Sequence, residues 1–141
     1  MLHTRHTTEI MTKDTPIPFE VIEDLHERNW GDWGSKTWEE VLEMIKDYPI
    51  EKRYTFIPPN GESWQGMETR LLKLLDKIKK EYKENVAVLT HVGCLRALIP
   101  ALKKVERSHH HKFGVEPGTV TCFCSEKEEF DFIGYAPADI K

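Results

Sequence analysis

The run Val86-Ala87-Val88-Leu89-Thr90 constrains the fold of this chain more than any other feature. It is short, apolar and largely β-branched, and it shows no alternation between apolar and polar positions. A strand with one solvated face alternates, whereas a strand covered on both faces of a parallel sheet does not. A polar turn, His91-Val92-Gly93, follows, and the next apolar residues have helical spacing as far as Leu102. The pattern predicts a central strand, a turn and a helix.

The rest of the chain alternates between helical and extended patterns. Apolar residues at helical spacing, with Ser or Thr caps in two cases, predict three further helices: residues 4–13, the stretch after Thr37, and residues 63–85. Extended runs are predicted at 19–22, 119–124 and 130–133, the last two as a hairpin. This alternation predicts one three-layer α/β/α domain over residues 1–141, with a mostly parallel sheet.

Composition excludes several function classes. No apolar run approaches the roughly 20 residues of a membrane-spanning helix, and the first residues lack the apolar block of a secretory signal, so we expect no membrane partner and a cytoplasmic location. The formal net charge is −4, and the lysines between 73 and 83 fit the solvated face of a helix, so we expect no nucleic-acid partner. Cys94, Cys122 and Cys124 lack metal-ligand spacing and are expected to be free thiols.

Two polar residues lie where ligands gather in open α/β sheets, at the carboxyl ends of strands. His91 follows the predicted central strand and precedes a helix, so its imidazole and the helix N–H groups together suit an anionic phosphate. Glu27 lies in a loop rich in aromatic residues, where partial desolvation would raise its pKa and keep a proton available. The alternatives are a histidine that only caps the helix and a carboxylate that is only solvated.

Three segments carry a resemblance to a known family in the right order. They run from Leu25 to Trp33, from Pro59 to Ser63 with Arg70 after it, and from Val88 to Leu98. Pro117 to Thr121 matches a late strand of the same pattern. Together these segments resemble the histidine phosphatase superfamily, whose fold is phosphoglycerate-mutase-like.

The resemblance implies a function and a role for particular residues. Glu27 would donate a proton to the leaving group, His91 would neutralise charge on the transferring phosphoryl group, and the backbone N–H of Val92 would assist. The phosphoryl group would pass through a phosphohistidine, without a metal or other cofactor. The implied activity is that of a phosphomonoester hydrolase or phosphomutase acting on a small phosphorylated metabolite.

The chain also departs from the family pattern, because it has no arginine-histidine-glycine motif for the phosphate-accepting histidine. In the preferred register Thr7 matches a family threonine, His3 replaces a phosphate-binding arginine, and Arg5 reaches into the site. A rival register equates Arg5-His6 with the nucleophile motif. The preferred register implies that the first strand and helix are missing, and the resulting open sheet edges would favour a homo-oligomer.

Three alternatives remain open at the level of sequence. The chain could be a non-catalytic phosphate-binding or regulatory remnant of this fold, since it lacks the nucleophile motif. Trp30, Trp33 and Trp38 could stack on a base or sugar, or simply pack in the core. The run His109-His110-His111 could bind a divalent metal, but it lacks a carboxylate or thiol in ligand spacing, and a loop is the preferred interpretation.

Overall fold

The computed structural model describes residues 2–113 and 115–133. Its α-helices are α1 (Leu2–Thr12), α2 (Trp38–Met44), α3 (Ile50–Arg53), α4 (Trp64–Glu81) and α5 (Val92–Leu102). Two strands, β1 (Val120–Cys124) and β2 (Glu129–Ile133), follow them. Short 3-10 turns occupy Glu23–Leu25, Gly31–Trp33 and Arg107–Phe113. The helix prediction around residues 63–85 is confirmed, although α4 ends at Glu81.

The main core lies between α4 and α5. Ser63 caps α4 by accepting the N–H of Gly66 at 2.9 Å, as its position before the apolar pattern predicts. Met67 and Leu71 then point at α5 and are almost completely buried there with Cys94 and Ala97. Leu25, half-buried, packs against the same cluster, so the loop that carries Glu27 is attached to the core.

The predicted strand at 86–90 is extended, but it pairs with no other strand in the part of the chain that the structure describes. Val88 and Leu89 are each 39% exposed, which is unlike a central strand. An extended segment becomes a strand only when a neighbour bonds its N–H and C=O groups. The run at 19–22 is likewise extended without a strand partner among these residues. The mostly parallel, three-layer sheet is therefore not confirmed.

The predicted hairpin is confirmed and forms the one sheet of the described residues. β1 and β2 pair antiparallel, with Val120 opposite Ile133 and Cys124 opposite Glu129. Phe130 packs against a second apolar cluster, made of Ile99, Phe113 and Val115. The hairpin thereby lies on the far end of α5. No helix within residues 2–113 and 115–133 combines the length and apolar character needed to cross a bilayer.

Candidate active site

The loop that carries Glu27 is held in place by the side chain of Arg70 from α4. Its guanidinium donates hydrogen bonds to the carbonyl oxygens of Asp24 and His26, the second at 2.8 Å. It also forms an ion pair with the Glu62 carboxylate at 2.8 Å. One cation on a rigid helix thus fixes the path of the chain just before the candidate acid.

Glu62 holds the same loop from the other side, and Arg70 and Glu62 together form a clamp on it. Its carboxylate accepts the backbone N–H of Asn29 at 2.9 Å, in addition to the Arg70 hydrogen bonds. Partial burial works to raise the pKa of Glu62, but Arg70 and the Asn29 N–H outweigh it and hold that pKa below its usual value. Glu62 therefore stays ionised at neutral pH, and its ion pair with Arg70 is kept.

Glu27 is fixed by two backbone N–H groups. One carboxylate oxygen accepts the N–H of Arg28 at 2.8 Å, and the other accepts the N–H of Gly93 at 3.1 Å. A Cβ atom on Gly93 would lie only 1.9 Å from Glu27 Oε1, so a glycine is needed for this approach. The Thr90 hydroxyl also donates to the Leu25 carbonyl at 2.9 Å. The Glu27 loop is therefore hydrogen-bonded to Thr90 and Gly93, the residues immediately before and after the pair His91-Val92.

His91 occupies the N-cap position of α5 in an extended backbone conformation, with φ −117° and ψ 159°, and its side chain makes no capping hydrogen bond. Its Nδ1 atom lies 3.5 Å from Nε2 of His3, and the two rings meet edge to face with centroids 5.2 Å apart. Burial lowers the pKa of His91, the Glu27 carboxylate opposes this shift, and His3 adds to it. The imidazole is therefore mostly neutral at pH 7 until an anion binds beside it.

The structure brings four of the five predicted site residues to one end of α5. Glu27, His3, His91 and Val92 all lie there, Val92 as the first residue of the helix, where the N–H groups lack helical partners. Arg5 is not among them. It lies along α1 and pairs with Glu9 at 3.0 Å. His6, the nucleophile of the rival register, is exposed.

Arg28 was not predicted from the sequence as part of the site. Its guanidinium is buried beneath the rings of Trp30 and Trp64, 4.1 and 4.9 Å from their centroids. It donates to the carbonyl oxygens of Glu62 at 3.0 Å and Phe56 at 3.2 Å. Burial lowers the pKa of Arg28 to about 10, so it remains a cation. Nothing in the sequence distinguishes this arginine from a solvated one, because its partners are 28 to 34 residues away.

A cavity of about 280 Å³ opens beside Glu27. All four tryptophans of the chain line it, together with the cations Lys36 and Arg96. Trp30 meets Trp38 and Trp64 edge to face, with centroids 5.8 and 6.5 Å apart. Trp30, Trp38 and Trp64 thus pack on one another beside open space, and stacking of Trp30, Trp33 or Trp38 on a base or sugar stays a prediction.

The histidine run lies outside the group formed by Glu27, His3 and His91, whereas the Cys94 thiol donates to the carbonyl oxygens of Leu25 and His26 in the Glu27 loop, at 3.6 and 3.5 Å. His110 is buried, with its ring centroid 4.6 Å from that of Trp64, and it lies in the 3-10 turn Arg107–Phe113. Within the residues that the structure describes, no group of three His, Cys, Asp or Glu side chains could hold a metal ion. The three cysteines are unpaired, and burial raises the pKa of the Cys94 thiol.

Comparison with protein families gives one match over most of the chain. The model of the histidine phosphatase superfamily (branch 1) matches residues 1–136. The adenosylcobalamin/alpha-ribazole phosphatase of Escherichia coli (strain K12) is 25% identical over 81% of this chain, and the chain spans 58% of its length. The metal-independent phosphoserine phosphatase of Arabidopsis thaliana is 35% identical over 64% of this chain and 41% of its own.

Solved structures support the fold. The alpha-ribazole phosphatase from Shigella flexneri superposes with a TM-score of 0.73 at 19% identity, covering 98% of this chain and 70% of that one. At such low identity the match supports the fold alone.

Proposed function

Because the chain belongs to the histidine phosphatase superfamily, we propose that it carries the proton-donating and phosphate-stabilising part of a phosphomonoester hydrolase. The relatives described above are an adenosylcobalamin/alpha-ribazole phosphatase and a phosphoserine phosphatase, which act on small phosphorylated molecules. The substrate proposed here is likewise a small phosphomonoester. This chain spans 58% and 41% of the length of these two relatives.

One observation supports the proposal above the others, namely the hydrogen bond between the Glu27 carboxylate and the N–H of Gly93. Gly93 is two residues after His91, at the helix end where phosphate groups bind readily. The bond therefore places a carboxyl group next to the N-terminus of α5. A general acid and an anion site at this spacing suit the transfer of a phosphoryl group.

The proposed reaction has two steps. In the first, the bond between phosphorus and the leaving oxygen breaks, a bond forms from phosphorus to a nitrogen of a nucleophilic histidine other than His91, and Glu27 gives its proton to the leaving oxygen. In the second, water attacks phosphorus, the phosphorus–nitrogen bond breaks, and the proton returns to Glu27. His91, protonated beside the anion, and the backbone N–H of Val92 stabilise the phosphoryl oxygens in both steps.

The test compares leaving groups of different quality. Turnover of p-nitrophenyl phosphate and phenyl phosphate is measured for the full chain and for Glu27→Gln. A general acid matters more when the leaving oxygen is more basic, so Glu27→Gln should slow phenyl phosphate by about 100-fold or more and p-nitrophenyl phosphate clearly less. The exposed Glu20→Gln is the matched control, with unchanged turnover expected. Equal slowing of both substrates, or none, would refute the role of Glu27.

A second candidate is a non-catalytic phosphate-binding remnant, favoured by the absence of an arginine-histidine-glycine tripeptide from the 141 residues. Calorimetry with inorganic phosphate separates the two functions. Phosphate binding that is weakened in His91→Ala but not in His6→Ala, with no turnover of either ester, would establish the remnant. Turnover that depends on both Glu27 and His91 would exclude it. Neither turnover nor phosphate binding would refute both candidates.

A further inference from the structure

We propose that the cavity lined by the four tryptophans binds the leaving group of the substrate, and that it selects an aryl group carrying an anionic substituent. The inference rests on the proposed function for its orientation, because Glu27 lies in the wall of the same cavity. The leaving oxygen would lie at Glu27 and the rest of the leaving group inside the cavity. At about 280 Å³, the space is at the lower end for small-molecule sites and accommodates a single ring system.

The walls of the cavity favour a flat ring. Trp30, Trp33, Trp38 and Trp64 contribute to its lining, and aromatic rings attract other π systems through stacked and edge-to-face contacts. Trp33 is itself stacked on Phe56, with centroids 5.2 Å apart and planes 30° from parallel. These contacts hold the indoles in place before a ligand enters, so little ordering is required on binding.

A cation inside the lining favours a negative charge on that ring. The Nε atom of Arg96 is buried and has no hydrogen-bond partner among the described residues. A buried N–H of a charged group without an acceptor is costly, and the side chain that carries it lines the cavity, where a ligand carboxylate can pair with the guanidinium charge. Arg96 is three residues after Gly93 on α5, so it lies on the same helix face, about 4.5 Å further along the axis.

The charged side chains in the cavity lining also favour an anionic leaving group. Its lining contains two cations, Lys36 and Arg96, and one carboxylate, Glu27. Arg28 does not change this balance within the cavity, because its guanidinium is committed to two backbone carbonyls and two indole faces. A leaving group with one anionic substituent would pair with Arg96 while its oxygen lies at Glu27. A neutral or cationic leaving group would give the Arg96 guanidinium no anionic partner in the cavity.

Calorimetry with three phosphate-free probes tests this inference on the full chain. 4-Hydroxybenzoate carries both an aromatic ring and a negative charge. 4-Hydroxybenzyl alcohol has the aromatic ring without the charge, and 4-hydroxycyclohexanecarboxylate has the charge on a saturated ring. We expect 4-hydroxybenzoate to bind at least about tenfold more tightly than either analogue, a difference of about 1.4 kcal/mol. Equal affinities for the three probes, or no binding of 4-hydroxybenzoate, would overturn the proposal.

Variants assign the binding to the cavity. Arg96→Met should lower the affinity for 4-hydroxybenzoate about tenfold and leave that for 4-hydroxybenzyl alcohol unchanged, whereas Arg96→Lys should lower it less. Lys80→Met, which removes an exposed cation from α4, should change neither affinity. Unchanged 4-hydroxybenzoate binding in a folded Arg96→Met would overturn the role of Arg96. Because the probes carry no phosphate, failure here leaves the phosphate and leaving-group tests of Glu27 and His91 unaffected.

Discussion

His110 is a buried histidine whose protonation opposes folding. Burial lowers its pKa to about 4, although the Arg107 carbonyl, 3.1 Å from Nδ1, acts to raise it. The unfolded chain has a histidine pKa of about 6.5, so it binds this proton first as the pH falls. The contribution of His110 to stability is therefore complete above about pH 6.5 and decreases towards pH 4.

We predict that this histidine costs the wild-type protein about 3 kcal/mol of unfolding free energy between pH 7 and pH 4. Urea unfolding at a series of pH values measures the loss. His110→Gln keeps a side-chain donor near the Arg107 carbonyl but does not titrate, so its stability should fall less over this range. The exposed His6→Gln is the control and should follow the wild type. Parallel curves for the wild type and His110→Gln would contradict the prediction.

The Arg70–Glu62 ion pair is the other residue-scale feature that the site depends on. The two side chains are only 15% and 20% exposed, so removal of one partner leaves a poorly solvated charge. We predict that Arg70→Met destabilises the protein by about 3 kcal/mol in denaturant unfolding. Lys77→Met removes the exposed partner of Glu81 in the same helix and should cost less than about 1 kcal/mol. Similar losses in the two variants would show that the clamp is not structural.

At the scale of elements, the N-terminus of α5 and the Glu27 loop form one unit. A methyl group at Gly93 would displace Glu27 Oε1, which is only 1.9 Å from the position of the added Cβ. We predict that Gly93→Ala destabilises the wild type by about 1 kcal/mol, the value of one hydrogen bond. In a Glu27→Ala background the same change should be neutral or stabilising, because alanine favours the helix.

A double-mutant cycle of these four proteins in urea measures that coupling. Additive effects of the two substitutions would mean that the cost of Gly93→Ala does not arise from Glu27. The same cycle followed by phosphate binding shows whether the displaced carboxyl also disturbs the anion site.

The elements that local sequence determines were predicted well. α4 was recognised from the Ser63 cap and its apolar spacing, and the hairpin from two extended runs around a charged turn. The segment 86–90 was predicted as a strand and is only extended, because strand pairing depends on distant residues rather than on composition. In the site, His3 lies beside His91 and Glu27 bonds Gly93, and the register in which His3 replaces a phosphate-binding arginine stays a prediction. The burial of Arg28 and of the Arg96 Nε atom could not be predicted, because it results from tertiary contacts.

At the scale of the whole molecule, two extended segments expose apolar side chains without strand partners among the described residues. Val86 and Val88 lie in one, and Ile17 and Val21 lie in or beside the other. Unpaired backbone next to apolar side chains is a template for pairing with another chain. We therefore propose that copies of this chain associate through these segments.

We predict that sedimentation velocity shows a mass that rises with protein concentration. Val88→Lys should weaken this association by at least about tenfold, because a buried ammonium without a partner is costly. Ile57→Lys changes an exposed apolar residue outside both segments and should associate like the wild type. A monomer at all concentrations, or equal effects of the two lysines, would refute association through 86–90.

The four tryptophans have a practical consequence, since every indole in the chain lines the same cavity. Intrinsic fluorescence at wavelengths that excite only tryptophan therefore originates from a single location. A change in the water content of the cavity, or the binding of a ligand in it, will shift the whole emission spectrum, because no tryptophan lies elsewhere in the chain. The protein thus contains its own optical reporter, and stopped-flow records of its emission give the rates of ligand entry and exit without any label.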